Sequence, residues 1–293
     1  MNKINKLDEV RHLITMHCNL ECLHCYLKGG GENNCQKQNI IDEEVLKKFY
    51  LKYKPNVVSA TGGEPLLNKK MVKLLGKVIN NYNGALEIVT NGTLIDEEFV
   101  NEMQKINPNT FYQISLDGMR DYHNFLRNSN NAFERAIRGI KIISDKKIHL
   151  KVRFTATDEN YEELPELIDL LESFENENIE LVIRPVVSTG RAKENNLVFT
   201  KDYSILNNLK SNIIKISTTD NAGKCGCGVN TVAINNEGNI YPCNYTVGND
   251  NYLMGSIYDD IDLFEDQEFK NFKGNCYARH LQMFPIQRKK VSW

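Results

Sequence analysis

The chain has 293 residues, enough for one large domain and a smaller one, with a formal net charge of −2. At a pI near 6.3 it offers no overall positive field for nucleic acid, and the basic run Arg288–Lys290 reads as a solvated tail. No apolar run approaches the ~18 residues of a membrane helix. The polar start MNKINKLDEV carries no signal peptide, so the expectation is a cytoplasmic protein without nucleic-acid or membrane partners.

Strand and helix patterns then alternate. Apolar, β-branched runs predict strands at Val10–Thr15, Val57–Ala60, Leu86–Thr90, Phe111–Leu116, Leu150–Thr155 and Leu181–Val187. Helical patterns fall at Asp42–Lys52, Lys69–Asn80, Asp96–Lys105, Ala132–Ile143, Tyr161–Phe174 and Lys201–Ile214. Asp42 and Asp96 open their helices as N-caps, each followed by an acidic first turn. Six βα units in series imply an α/β fold with a parallel sheet and helices outside, either an open doubly wound sheet or a full or partial barrel. In each case the loops at the strand C-termini build the site. Polar motifs fall at those ends in order: CNLECLHC, TGGEP, TNG, SLDG, TATDEN and STGRA.

After about Phe199 the pattern changes. TVAINNEGNIYPCNY reads as a hairpin with an Asn-Glu-Gly turn, and Asp262–Phe272 as a short helical piece. The division is a core over 1–198 and a small domain over 199–293.

Eight cysteines call for an explanation, because cytosolic thiols stay reduced. Cys18, Cys22, Cys25 and Cys35 lie near the start; Cys225, Cys227, Cys243 and Cys276 lie near the end. Two metal sites fit that clustering. The first group has C-x3-C-x2-C spacing, Cys18–Cys22–Cys25. Zinc with His17 or His24 as fourth ligand, or a redox pair of Cys22 and Cys25, is open to this spacing. So is a 4Fe–4S cluster on three thiolates, which leaves one iron with an open coordination position.

C-x3-C-x2-C after the first strand with GGEP after the second resembles the radical S-adenosylmethionine (SAM) enzymes, over about Val10–Val187. The resemblance implies a partial (β/α)6 TIM-like barrel. Cys18, Cys22 and Cys25 would hold a 4Fe–4S cluster whose open iron is chelated by SAM. An electron, brought by a reductase such as flavodoxin or ferredoxin, would cleave SAM to methionine and a 5′-deoxyadenosyl radical that takes a hydrogen atom from the substrate. The glycines Gly62 and Gly63 let backbone approach the methionine moiety, Glu64 suits its ammonium, and Pro65 stiffens the turn. By the same resemblance the backbone of Tyr26 meets the adenine. Ser115 and Asp117, alternate residues at the end of the fourth strand, meet the ribose or carboxylate, and Thr90 and Asn91 face the same ligand. Arg127 and Arg153 are candidates for the SAM carboxylate. Asn160 and Arg191 fall at family positions without an assigned role. Cys35, in the loop GGGENNCQKQ, reads as an ordinary thiol, with hydrogen-atom donation as its functional alternative.

The second cysteine group resembles the SPASM and twitch extensions of these enzymes, in C-x10-G-x4-C from Cys227 through Gly238 to Cys243. A full SPASM extension continues with a dense cysteine run, whereas here only Cys276 follows. That departure implies one auxiliary 4Fe–4S cluster, twitch-like, on Cys225, Cys227, Cys243 and Cys276. Relatives with such extensions mostly modify peptides, by thioether or carbon–carbon crosslinks, epimerisation or oxidation, so a peptide substrate is expected. No leader-peptide-binding segment is read before the first strand, which weighs against it. The alternatives are a small-molecule precursor for a cofactor or sugar, and a non-catalytic iron–sulfur electron carrier.

Overall fold

The computed structural model describes residues 7–30, 40–218, 226–259 and 263. Cys35, Cys225 and Cys276 lie outside the described residues, as does Asp262–Phe272 apart from Leu263.

The chain order is β1 (Glu9–Thr15), α1 (Glu43–Tyr53), β2 (Val57–Gly62), α2 (Lys69–Asn80), β3 (Ala85–Thr90), α3 (Glu97–Ile106), β4 (Thr110–Ser115), α4 (Arg120–Arg127), α5 (Ala132–Asp145), β5 (Leu150–Ala156), α6 (Leu164–Glu172) and β6 (Ile179–Pro185). There follow α7 (Gly190–Glu194), α8 (Ser204–Asn207), β7 (Lys215–Thr218), β8 (Thr231–Ile234), β9 (Asn239–Tyr241) and β10 (Gly255–Ser256). Asp42 and Asp96 cap α1 and α3 as expected, their carboxylates accepting from Glu44 N and Phe99 N.

The ten strands of the described residues join one sheet in the order β10-β9-β8-β1-β2-β3-β4-β5-β6-β7. From β1 to β7 the neighbours run parallel. The expected hairpin forms as the antiparallel pair β8–β9, and β8 also lies parallel to β1, so the C-terminal part extends the sheet of the core.

One expected helix differs, and one helix forms that was not expected. Lys201–Ile214 forms only the single turn of α8. Asp202 Oδ1 accepts from Ser204 N at its start, and Ser211 Oγ accepts from Ile213 N and Ile214 N, a local turn that competes with further helix. In contrast, α4 arises where polarity hid its pattern. His123 and Leu126 are buried in a helix otherwise dominated by charged and polar residues.

Side chains on the two faces of the strands have different fates. On β5, Val152 and Phe154 are fully buried in the layer beneath the helices, with Leu75, Ile140 and Leu167 in the same core. The alternate residues Lys151, Arg153 and Thr155 face a lumen. A closed barrel of this kind packs its lumen with branched apolar side chains. Here the sheet stays open and the lumen is polar. No helix of the described residues is long and apolar enough to cross a membrane.

Candidate active site

The loop after β1 carries Cys18, Cys22 and Cys25 at the C-terminal ends of the strands. Cys22 is buried and the others half-buried, packed with Leu20 and Ala132. Burial pushes the Cys18 thiol up to about 12 and raises that of Cys22, against the field of Arg127. Two donors lie beside these sulfurs. Asn91 Nδ2 is 3.9 Å from Cys18 Sγ and Arg127 Nη1 is 3.7 Å from Cys22 Sγ. Among the described residues, no group of three or more His, Cys, Asp or Glu converges as the ligands of one metal ion do. The thiolates of an iron–sulfur cluster each take a different iron, and donors to the sulfurs tune it, so the donor set fits a cluster better than zinc.

Four neighbouring segments hold this loop. Gly63 N donates to Thr15 O (2.8 Å) and Glu64 N to His17 O (2.7 Å). Gly62 has φ +125°, and a Cβ on Gly63 would collide with the His17 carbonyl. Both glycines therefore serve the close approach of this turn to the end of β1. Glu64 is fully buried, and its carboxylate accepts from Leu66 N (3.0 Å), Thr90 Oγ1 (2.7 Å) and Asn91 N (2.8 Å). The carboxylate expected to face the SAM ammonium is thus committed to protein donors, as is the Thr90 hydroxyl. Pro65 begins a short 3-10 turn that Glu64 caps. Asn91 continues the tie, its Nδ2 donating to Asn19 Oδ1 (2.9 Å).

On the opposite side, Leu23 N donates to Leu126 O at the end of α4 (2.8 Å). Asp117 is buried and accepts from Thr155 N (2.8 Å); its other oxygen pairs with Arg127 Nη2 (2.5 Å). Burial opposes its ionisation, but Arg127 outweighs that and holds the carboxyl down to about 2. Ser115 lines the lumen; Asp117, expected on the same face, lies beyond β4 and is spent on this pair. Asn160, whose role the sequence left open, joins the ends of β4 and β5 through Nδ2 to Asp117 O (2.8 Å) and Thr155 O (3.0 Å).

The fourth holder is α7, which the sequence reading did not foresee. Arg191 donates through Nη1 to Cys22 O (3.3 Å) and through Nη2 to Lys28 O (3.1 Å) and Gly29 O (2.7 Å). Its backbone N donates to Cys25 O (3.0 Å). The STGRA motif was the signal: Gly190 takes φ +52° against Cys25 and Tyr26, where a Cβ would not fit.

Beneath the loop lies a lumen of about 470 Å³, lined among others by His24, Tyr26, Ser115, Arg127 and Arg153. The Tyr26 and Tyr245 rings lie 4.6 Å apart, tilted by 45°, and Asn244 Nδ2 donates to the Tyr26 hydroxyl (2.9 Å). The segment after β9 thereby reaches the mouth of the lumen. Cys227 and Cys243 are buried and share an apolar cluster with Leu13 and Tyr241.

A model of the Radical SAM superfamily matches residues 13–171. The chain belongs to this superfamily. Among curated radical SAM relatives, it is 30% identical over 159 residues to the Fe-coproporphyrin III synthase of Methanosarcina barkeri, a match covering 54% of this chain and 39% of that protein. It is 22% identical over 321 residues to the antilisterial bacteriocin subtilosin biosynthesis protein AlbA of Bacillus subtilis, covering 96% and 69%. Its fold resembles that of Streptococcus suis SuiB bound to S-adenosylmethionine, with TM-score 0.73 and 19% identity over 95% of this chain and 75% of that one. SuiB is also solved with its precursor peptide SuiA, where the TM-score is 0.64. Membership implies a 4Fe–4S cluster and SAM.

Proposed function

We propose that this chain is a peptide-modifying radical SAM enzyme, with its first cluster on Cys18, Cys22 and Cys25 and SAM in the upper lumen. The observation that carries the reading is the set of three half-buried or buried thiols over a lumen that Arg127 also lines. When bound, the cluster supplies the electron that cleaves SAM to methionine and a 5′-deoxyadenosyl radical. The chain's residues bind and shield. Asn91 and Arg127 donate toward the sulfurs, Ser115 and Tyr26 border the lumen, and Tyr245 with Asn244 restricts its mouth. Cys227 and Cys243, with Cys225 and Cys276, hold the proposed auxiliary cluster. Likeness to AlbA over most of the chain, and to SuiB in fold, supports a peptide substrate, and an electron-donating flavodoxin or ferredoxin completes the system. A porphyrin-like or other small-molecule substrate is the second reading, favoured by the 30% identity to the coproporphyrin enzyme.

The test is anaerobic reconstitution with iron, sulfide and a reductant, followed by chromatographic detection of 5′-deoxyadenosine. Cys18→Ala, Cys22→Ala and Cys25→Ala should each abolish its formation. Full activity in any one of them removes the three-thiolate site. Mass spectrometry of a co-expressed candidate peptide separates the two substrate classes.

A further inference from the structure

The lumen holds more positive charge than its carboxylates balance. Arg11 is satisfied, donating to both oxygens of Glu9 (2.9 and 3.0 Å) and to Asn244 Oδ1 (3.0 Å). Lys151 takes Glu87 (2.9 Å), which also accepts from Ser59 (2.6 Å). Arg127 takes Asp117. Each of these carboxylates is therefore spent. The side chains of Arg153 and Arg184 make no hydrogen bond or ion pair among the described residues, and the Nε of each is buried without a partner. Both line the lumen. Arg153 sits beside Val182 in the β5–β6 register and Arg184 lies two residues further along, so the two guanidiniums are diagonal neighbours on one face. Burial and the adjacent Arg184 charge bring Arg153 down to about 9. Two unpaired like charges out of bulk water are costly to the free protein and become favourable when an anion joins them.

We infer that Arg153 and Arg184 form a carboxylate-binding site in the lumen that takes an acidic group of the substrate. A guanidinium fork matches a carboxylate, and a second at diagonal spacing fixes its direction. The site rests on the reading that the lumen receives the substrate. It draws Arg153 away from the SAM carboxylate and adds Arg184, which the motifs did not single out.

The experiment is calorimetric titration of cluster-loaded, SAM-saturated protein without reductant. The probes are N-acetyl-glutamate N-methylamide and its glutamine analogue, and N-acetyl-alanine with its N-methylamide, which separate side-chain from chain-terminal carboxylates. One acid of the two pairs should bind about tenfold or more tighter than its neutral analogue, the scale of a charge-assisted pair. Arg153→Gln and Arg184→Gln should each lose that preference, and Arg184→Lys should keep part of it. The affinity for SAM, titrated separately, should change by less than about twofold in Arg184→Gln, far below the tenfold scale of a lost charged contact. Both Gln variants should melt no lower than wild type, because each removes an unpaired cation. Equal binding of acid and neutral probes overturns the inference, as does retention of the preference in both Gln variants. SAM affinity falling in step with probe affinity also overturns it, since the pair would then hold the methionyl carboxylate. Wild-type protein that prefers the acid probe yet never cleaves SAM would refute the proposed function and leave this site standing.

Discussion

At the scale of single residues, buried polar groups at the strand ends are occupied with one another. Glu64 is the plainest case, since three protein donors cage a carboxylate that motif reading directs at a ligand. Gly63 gives a test of the same turn. An alanine methyl would have to displace the His17 carbonyl, which is backbone one residue from Cys18. Gly63→Ala should cost about 2 kcal/mol or more, as overpacking does, measured as a loss in urea midpoint, and should lower iron uptake. A midpoint equal to wild type would show that the β1 loop is not tied as described. His12 carries a different expectation. It is fully buried, with Nδ1 2.8 Å from Tyr50 Oη, and burial lowers it to about 4. Above pH 6.5 it is neutral in folded and unfolded chains alike and has no effect on stability. As pH falls from 6.5 toward 4 the unfolded chain binds the proton first, so stability is lost. The full loss is about 3 kcal/mol for a shift of some 2.5 pH units. His12→Leu should flatten that part of the pH–stability curve in chemical denaturation. An unchanged acid slope would mean that other groups set it. Legibility at this scale follows from chemistry. Cysteine spacing is a ligand pattern and could be read, whereas the partner of Glu64 or Asp117 is a three-dimensional fact absent from the sequence.

At the scale of elements, the six parallel strands were legible because buried strands read as β-branched runs punctuated by turns. The exceptions have local causes. Polarity masks α4, five residues are too few for α7 to show a period, and Ser211 stops the helix expected through Ile214. The unforeseen α7 is also the element that grips the cysteine loop. Arg191 makes three side-chain bonds to carbonyls at Cys22, Lys28 and Gly29. It acts through the loop, so it is a positioning residue. Arg191→Ala should destabilise the loop by about 1–3 kcal/mol, the scale of bonds from a charged donor. The expected signs are faster loss of iron to a chelator and a changed electron paramagnetic resonance signal of the reduced protein, with the global melting temperature little altered. Arg191→Lys should recover little, because an ammonium cannot reproduce the fork. Chelation at the wild-type rate in Arg191→Ala would show that the other ties hold the loop without its guanidinium.

At the scale of the whole molecule, the C-terminal segment is built into the sheet. Its strand β8 lies against β1, and Asn244 and Tyr245 reach across to Arg11 and Tyr26. The sequence reading placed the two cysteine groups in separate parts of the chain; strand order across β1 was not legible, because no local pattern reports a pairing between residues more than two hundred apart. This adjacency sharpens the expected behaviour of the two clusters. Reconstituted protein should hold roughly eight irons per chain for two 4Fe–4S clusters, and the Cys18/Cys22/Cys25 triple alanine variant about half. Cys243→Ala should lose the auxiliary share, keep uncoupled SAM cleavage and make no product. Cys227 and Cys243 flank the β8–β9 hairpin rather than standing in the Cys18 loop, so on the proposed reading the electron for SAM cleavage need not pass through them. The substrate, on the proposed reading, enters a lumen whose mouth Asn244 and Tyr245 border. Because a cluster site folds around its metal, circular dichroism and iron content must first show that the variant is folded and lacks only the auxiliary share. Asn244→Ala is the companion variant: it cuts the ties to Arg11 and Tyr26 while leaving every cysteine in place. If both variants lose product alike with iron intact in Asn244→Ala, the segment acts by closing the lumen. If only Cys243→Ala loses product, the auxiliary metal itself takes part in turnover. Product at the wild-type rate in folded Cys243→Ala would make the second cysteine group structural.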